Sequence, residues 1–298
     1  MKKRGGTMEI KMIVMDMDGT LLKQDQTISE LTRLELLKQQ GKGVVFVLAS
    51  GRHHKVLQRH GSLLGMDDHK GYYIGVNGVE IVRSDTLDVL RKITLRMEEV
   101  REIIGFVMPY KMEVMAVKDQ SIYDFIPEPL LKRKEAYRDE KGMAKDVPLC
   151  AGTFGLVVDQ RKNYTSIRFG KDPEEIDTFY YKICVAEEPE TLKAFYPILM
   201  EKFSERYSIA RTSERWIELT PKEADKGLAL RHVMEMENIP KENVLVFGDG
   251  ENDLPLYREC IHTVAMGNAM ESVKNIAEYV TESNENDGIG VFLKKIGV

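Results

Sequence analysis

Three short polar clusters in this sequence could do chemistry together. They are Asp16-Met17-Asp18-Gly19-Thr20, Ser50-Gly51-Arg52 and Gly248-Asp249-Gly250-Glu251-Asn252-Asp253. Each directly follows an apolar run, so a fold that aligned the three runs would gather several carboxylates, a hydroxyl and a set of loop amides in one crevice. Two unit charges about 4 Å apart repel by roughly 4 kcal/mol at an effective dielectric of about 20. Such a cluster persists by taking up protons or a cation. Oxygen ligands favour a hard ion, and a site open to phosphate favours Mg²⁺ over Ca²⁺. A carboxylate with an ordinary pKa of about 4 is already ionised at neutral pH. It can attack phosphorus without a base to activate it.

The elements that must position these clusters read as alternating strands and helices. Residues 10–15, 44–50, 72–76 and 244–247 are apolar runs of the kind that fill a parallel sheet buried on both faces. Between them, Ser29 can cap a helix with Leu31, Leu34 and Leu37 on one face, ended by Gly41. A second helix carries Val56, Leu57, Leu63 and Leu64, and a third starts near Lys226 with Leu228, Ala229, Val233 and Met234. A helix from Glu251, a strand near 262–265 and a helix over 269–278 follow. This alternation predicts an α/β protein whose parallel sheet is wrapped by helices, with ligands bound beyond the carboxyl ends of the strands. The middle of the chain is different, with shorter and more polar strands such as 112–117 and 216–219 among helices over 98–107 and 188–203. It reads as a separate α+β domain inserted into the first.

Bulk properties narrow the class. The 298 residues are 43% hydrophobic and 31% charged, which is globular rather than disordered. A net charge of −5 with interspersed signs argues against nucleic acid as a partner. There is no apolar stretch of membrane-spanning length and no signal-peptide core, so a cytoplasmic location is expected. Residues 1–7 read as a loose tail, with Met8 an alternative start. Cys150, Cys184 and Cys260 are scattered and odd in number, as expected of buried, reduced thiols.

The segment DMDGTLL at 16–22 resembles the first motif of the haloacid dehalogenase-type phosphatases. Ser50 is similar to the hydroxyl of their second motif, Lys226 in ADKGLAL to the lysine of the third, and GDGENDLPL at 248–256 to the acidic fourth. The Cof-type subfamily, with its large α/β cap, is the nearest match, also through VAMGNAMESVKNIAEYV at 264–280 and SNENDG at 283–288. One departure is PKEAD before Lys226, where such proteins often have a glycine-containing turn.

The resemblance implies a doubly wound catalytic core over residues 8–85 and 221–298 and a specificity cap over 86–220. It implies an Mg²⁺-dependent phosphatase for small phosphomonoesters, with Asp16 as nucleophile and Asp18 as general acid and base. Mg²⁺ would be held by Asp16, the Asp18 carbonyl and Asp249. Ser50, Lys226, Asn252 and the amides of Met17 and Gly51 would bind phosphate, and Asp253 would orient Lys226. Asp18 stands two residues beyond Asp16, and such side chains share a face of an extended strand. A phosphomutase of the same superfamily is the alternative, ahead of a non-enzymatic phosphate-binding protein. Substrate identity and oligomeric state leave no mark on the sequence. His53 and His54 read as partly exposed helix residues, Asn77-Gly78 as a hairpin turn, Trp216 and the methionines as packing, and the Lys/Glu-rich stretches of the cap as solvated faces.

Overall fold

The computed structural model describes residues 9–162 and 164–297. The expected N-terminal tail and the alternative start at Met8 lie outside them. Among the described residues two compact units emerge, one within residues 9–92 and 223–297 and one within residues 93–222.

The chain enters the first unit through β1 (Met12–Asp16), α1 (Glu30–Gln40), β2 (Val45–Ala49), α2 (His54–Leu63), β3 (Gly71–Gly75), β4 (Glu80–Arg83) and β5 (Val89–Lys92). The second unit then contributes α3 (Met97–Val107), β6 (Glu113–Lys118), β7 (Ser121–Phe125), α4 (Glu128–Glu140), β8 (Ser166–Phe169), β9 (Lys182–Ala186), α5 (Pro189–Phe203), β10 (Tyr207–Ser213) and β11 (Trp216–Pro221). The chain returns through α6 (Lys226–Glu237), β12 (Val244–Gly248), α7 (Leu254–Glu259), β13 (His262–Ala265), α8 (Glu271–Lys274), β14 (Tyr279–Val280) and α9 (Gly288–Ile296).

In the first unit the sheet order is β14-β13-β12-β1-β2-β3-β4-β5, parallel as far as β3 and antiparallel at the last two strands. The wholly apolar faces of β1 and β12 are buried, as a strand covered by helices on both sides requires. β1 has β2 on one side and β12 on the other, so the strand order reverses there. Asp16 lies opposite Ala49 and Met15 opposite Phe247. This register sets the three polar clusters side by side at one edge, the usual ligand crevice of an open α/β sheet.

Several local expectations change. β5 pairs with β4, so the first unit runs to Lys92, past the junction expected after residue 85. Ser29 does cap α1, accepting from the Thr32 amide at 3.2 Å, but the helix buries Thr32, Glu35, Leu36, Gln39 and Gln40 and leaves Leu34 exposed. The reason is α9, which packs on the Thr32 side and sends the Gly290 amide to Thr32 Oγ1. The helix expected over 269–278 shrinks to the single turn of α8, because Tyr279 must be extended to pair with Val264.

The second unit is a six-stranded sheet in the order β10-β11-β9-β6-β7-β8. The apolar sides of α3 and α5 share one core with Val114, Ala116, Ile183, Val185, Ile217 and Leu219. The α4 stretch read as a solvated face is not wholly so. Lys134 is fully buried, donates to the Leu149 carbonyl at 2.8 Å and pairs with the equally buried Glu113. Glu113 also accepts the Ala151 amide at 2.7 Å. Burial, then the neighbouring Glu113, holds the Asp124 carboxyl well above the usual range. Removing one partner of such a pair strands the other charge, so Lys134→Met should destabilise the protein by about 3–5 kcal/mol in chemical denaturation. Adding Glu113→Gln should recover much of that loss.

Candidate active site

Asp16 ends β1 with its carboxylate buried, and the Lys226 ammonium donates to its Oδ1 at 2.6 Å. The same ammonium donates to Asp253 Oδ1 at 2.7 Å, while Asp253 Oδ2 accepts the Asp249 and Gly250 amides at 3.1 and 3.2 Å. One lysine thus ties the end of β1 to the loop after β12. Its placement follows from the PKEAD segment. Asp225 N-caps α6, accepting from the Leu228 amide at 2.9 Å, so Lys226 becomes the first helical residue and is 1% exposed.

Asp249 is half-buried and accepts the Thr20 hydroxyl at 2.8 Å. The loop between them closes tightly on Gly19, which has φ +80°, and a Cβ there would stand 2.4 Å from an Asp249 carboxylate oxygen. Both the left-handed backbone and the close approach demand glycine. Carboxylate oxygens of Asp16, Asp249 and Asp253 lie within 4.8 Å of one another.

Three carboxylates around one ammonium carry excess negative charge, and the ionisation responds to it. Burial first, then the charge of Asp253, pushes Asp16 up to about 8 against the opposing pull of Lys226. Burial pushes Asp249 to about 6. Burial alone would lower the Lys226 pKa, but Asp16 and Asp253 raise it above the ordinary lysine value. The cluster therefore fits a hard cation, whose charge would return these groups to their ionised forms. Asp16 and Asp249 have oxygens to offer, whereas Asp253 is engaged by Lys226 and two amides.

The remaining expected residues are placed as follows. Ser50 is buried just beyond β2, its Oγ accepting the Arg52 amide at 3.2 Å. Gly51 faces the Asn77 side-chain amide, 3.3 Å from where a Cβ would stand. The side chain of Met17 is buried, and its carbonyl accepts the Leu22 amide at 2.9 Å. Asn252 is exposed on the short turn over Glu251–Asp253, outside the buried cluster. Asp18 does not share a strand face with Asp16, because β1 ends at Asp16. Its half-exposed carboxylate is instead gripped by Arg52, through Nε at 2.8 Å and a second guanidinium nitrogen, and Arg52 also reaches Gln26 Oε1 at 2.7 Å.

Sequence reasoning assigned no part to Arg52, Thr20, Asn268 or Asn284. Asn268 donates to the Gly19 carbonyl and Asn284 to the Leu22 carbonyl, each at 2.8 Å, and the Asn284 amide donates to Asn268 Oδ1 at 3.0 Å. These two asparagines hold the loop after β1 in shape. The available signal was their position within the stretches 264–280 and 283–288.

The family model for haloacid dehalogenase-like hydrolases matches residues 13–293. A 5-amino-6-(5-phospho-D-ribitylamino)uracil phosphatase of Bacillus subtilis, YitU, is 25% identical over 95% of this chain and 96% of its own. The phosphatase YwpJ of the same organism is 25% identical over 96% of this chain and all of its own. A crystal structure of a haloacid dehalogenase-like hydrolase from Bacteroides thetaiotaomicron superposes with a TM-score of 0.76 at 26% identity, covering 96% of this chain and 99% of that one. This chain therefore belongs to the haloacid dehalogenase-like hydrolases, as a phosphatase of the Cof type.

Proposed function

We propose that this protein hydrolyses small phosphomonoesters, sugar phosphates or related metabolites, through an aspartyl phosphate formed on Asp16. The observation that carries the reading is the Asp16 carboxylate at the end of the central strand, held by Lys226 and flanked by Asp249. Asp16 attacks the phosphoryl group, and the leaving oxygen takes a proton from Asp18. Asp18 then removes a proton from the water that hydrolyses the acyl phosphate, regenerating Asp16. Lys226 and Ser50, with the Met17 and Gly51 amides, hold the phosphoryl oxygens as charge moves from the leaving group to the nucleophile. Asp253 keeps Lys226 aimed at Asp16. Asp16, the Asp18 carbonyl and Asp249 would hold Mg²⁺, which would supply the positive charge that lets a phosphate dianion approach this acidic site.

The unit of residues 93–222 selects the substrate in this reading, since the residues around Asp16 address only the phosphate, the cation and the leaving oxygen. The curated relative that acts on a ribitylamino-uracil phosphate supports a small phosphorylated metabolite as the substrate class. The test is phosphate release from a panel of phosphomonoesters before and after chelation. Activity should vanish in excess chelator and return with Mg²⁺, and full turnover in chelator would refute the cation requirement. The Mg²⁺ concentration for half activation should rise as pH falls through about 6, where Asp249 takes up a proton.

A further inference from the structure

His53 and His54 are partly exposed at the start of α2, as expected, but their rings turn inward. His53 caps the N-terminus of α2, His54 is its first residue, and both rings turn onto Glu80, the fully buried first residue of β4. Their side chains retain 9% and 14% exposure. The imidazole planes are tilted by 38° with centroids 4.2 Å apart. The sequence hides this arrangement, because Glu80 arrives only through the hairpin from β3 to β4.

The polar atoms of the three side chains converge. Glu80 Oε1 accepts the His54 amide at 2.8 Å and has His54 Nδ1 at 2.9 Å, although that ring nitrogen is outside hydrogen-bond alignment. Glu80 Oε2 accepts no hydrogen bond among the described residues, and His53 Nε2 lies 3.6 Å from it. A buried carboxylate oxygen left in this state is costly. Space has nonetheless been cleared for the group, since a Cβ on Gly75 would stand 2.4 Å from Glu80 Oε1.

We propose that His53, His54 and Glu80 form a binding site for one transition-metal ion of the zinc class, separate from the oxygen cluster at Asp16. One ligand atom from each residue lies within 4.8 Å of the others. A tetrahedral ion with bonds of about 2.0–2.1 Å sets its ligand atoms about 3.3 Å apart, and His54 Nδ1 stands 2.9 Å from Glu80 Oε1 while His53 Nε2 stands 3.6 Å from the other carboxylate oxygen, Oε2. Two imidazoles and one carboxylate suit Zn²⁺ and its neighbours, whereas Mg²⁺ prefers oxygen. Coordination through His53 Nε2 would leave its ring proton on Nδ1, in place of the long 3.4 Å contact from the Lys55 amide. The ion would fasten the start of α2 to β4. The connecting loop is already laced to the β3–β4 turn, where the Arg52 and Ser50 carbonyls accept the Val76 and Asn77 amides at 2.9 Å. The site would thus brace the segment that presents Ser50 and Arg52.

The test uses tag-free, metal-stripped full-length protein in excess Mg²⁺, titrated with Zn²⁺ and separately with Co²⁺. Metal retained after gel filtration is counted by mass spectrometry, and the visible Co²⁺ spectrum reports coordination. One equivalent should be retained, with the intense visible band of four-coordinate Co²⁺. Glu80→Gln, His54→Gln and His53→Gln should each weaken binding by about 100-fold or more. Asp249→Asn should leave it unchanged. If Glu80→Gln fails to fold, the two histidine variants decide the matter, with circular dichroism as the folding control. Failure of the wild type to retain the ion, equal binding by the histidine variants, or loss of the ion in Asp249→Asn would each overturn the site. The first of these results would leave a simple ion triad filled by protons.

Discussion

Asp16→Asn should abolish phosphate release, by roughly 10⁴-fold or more, since loss of a nucleophile removes the covalent route entirely. Steady-state release from any phosphomonoester accepted by the wild type measures this, and acid quench should show no phosphorylated variant. Residual turnover within tenfold of the wild type would remove Asp16 from the mechanism. The same substitution should raise stability under metal-free alkaline conditions, which separates loss of chemistry from loss of fold. In the folded protein Asp16 is pushed up to about 8 by burial and then by Asp253, from an ordinary value of 3.8. A raised carboxyl contributes stability that is fully present below about 4 and is lost as the pH climbs through about 8. Asparagine does not undergo this loss. Without metal, the variant should therefore gain on the wild type as pH rises from about 4 to about 8 and hold that gain above it, in thermal or denaturant melts. Lys226 keeps Asp253 as its partner in the variant, so no buried charge is stranded.

Asp18→Asn should separate substrates by the basicity of their leaving group. A sugar alkoxide needs a proton as it departs and nitrophenolate hardly does, so alkyl phosphates should lose about 10²–10⁴-fold while nitrophenyl phosphate loses far less in phosphoenzyme formation. With nitrophenyl phosphate the variant should accumulate the aspartyl phosphate, because the attacking water lacks its base. Intact mass of acid-quenched samples reads this directly. Equal losses on both substrates, with no trapped intermediate, would assign Asp18 another role. The grip of Arg52 on Asp18 gives this experiment a structural companion. Asparagine has only one oxygen to offer a guanidinium that now uses two, so the variant should also loosen the segment carrying Ser50 and Gly51.

The parts of the fold legible in the sequence are those set by local chemistry. An apolar run that stops at an aspartate, as at Asp16, has few structural explanations other than a buried strand with a functional end. The Ser29 cap similarly acts within one turn of its helix. What escaped reading depends on pairing between distant segments. Leu34 is exposed because α9, from the far end of the chain, selects a different face of α1. The link from Asp18 to Arg52 depends on the register of β2 against β1, and the junction at Lys92 on one more strand joining the sheet edge. Glu80 meets the two histidines only once a hairpin with left-handed residues at 76–78 has turned it inward. None of these contacts leaves a periodic trace.

The neighbours of β1 have a consequence for synthesis. One side of this strand is covered by residues 45–49 and the other by residues 244–248, so until the ribosome has released β12 the strand keeps an open backbone edge. The second unit, by contrast, is a single uninterrupted stretch and can close its own core as it emerges. Non-local pairing of this kind is slow, and unpaired edges invite association with other chains. The nascent protein thus passes through a stage with a complete insert and half a sheet, and that stage is when it most needs chaperone cover.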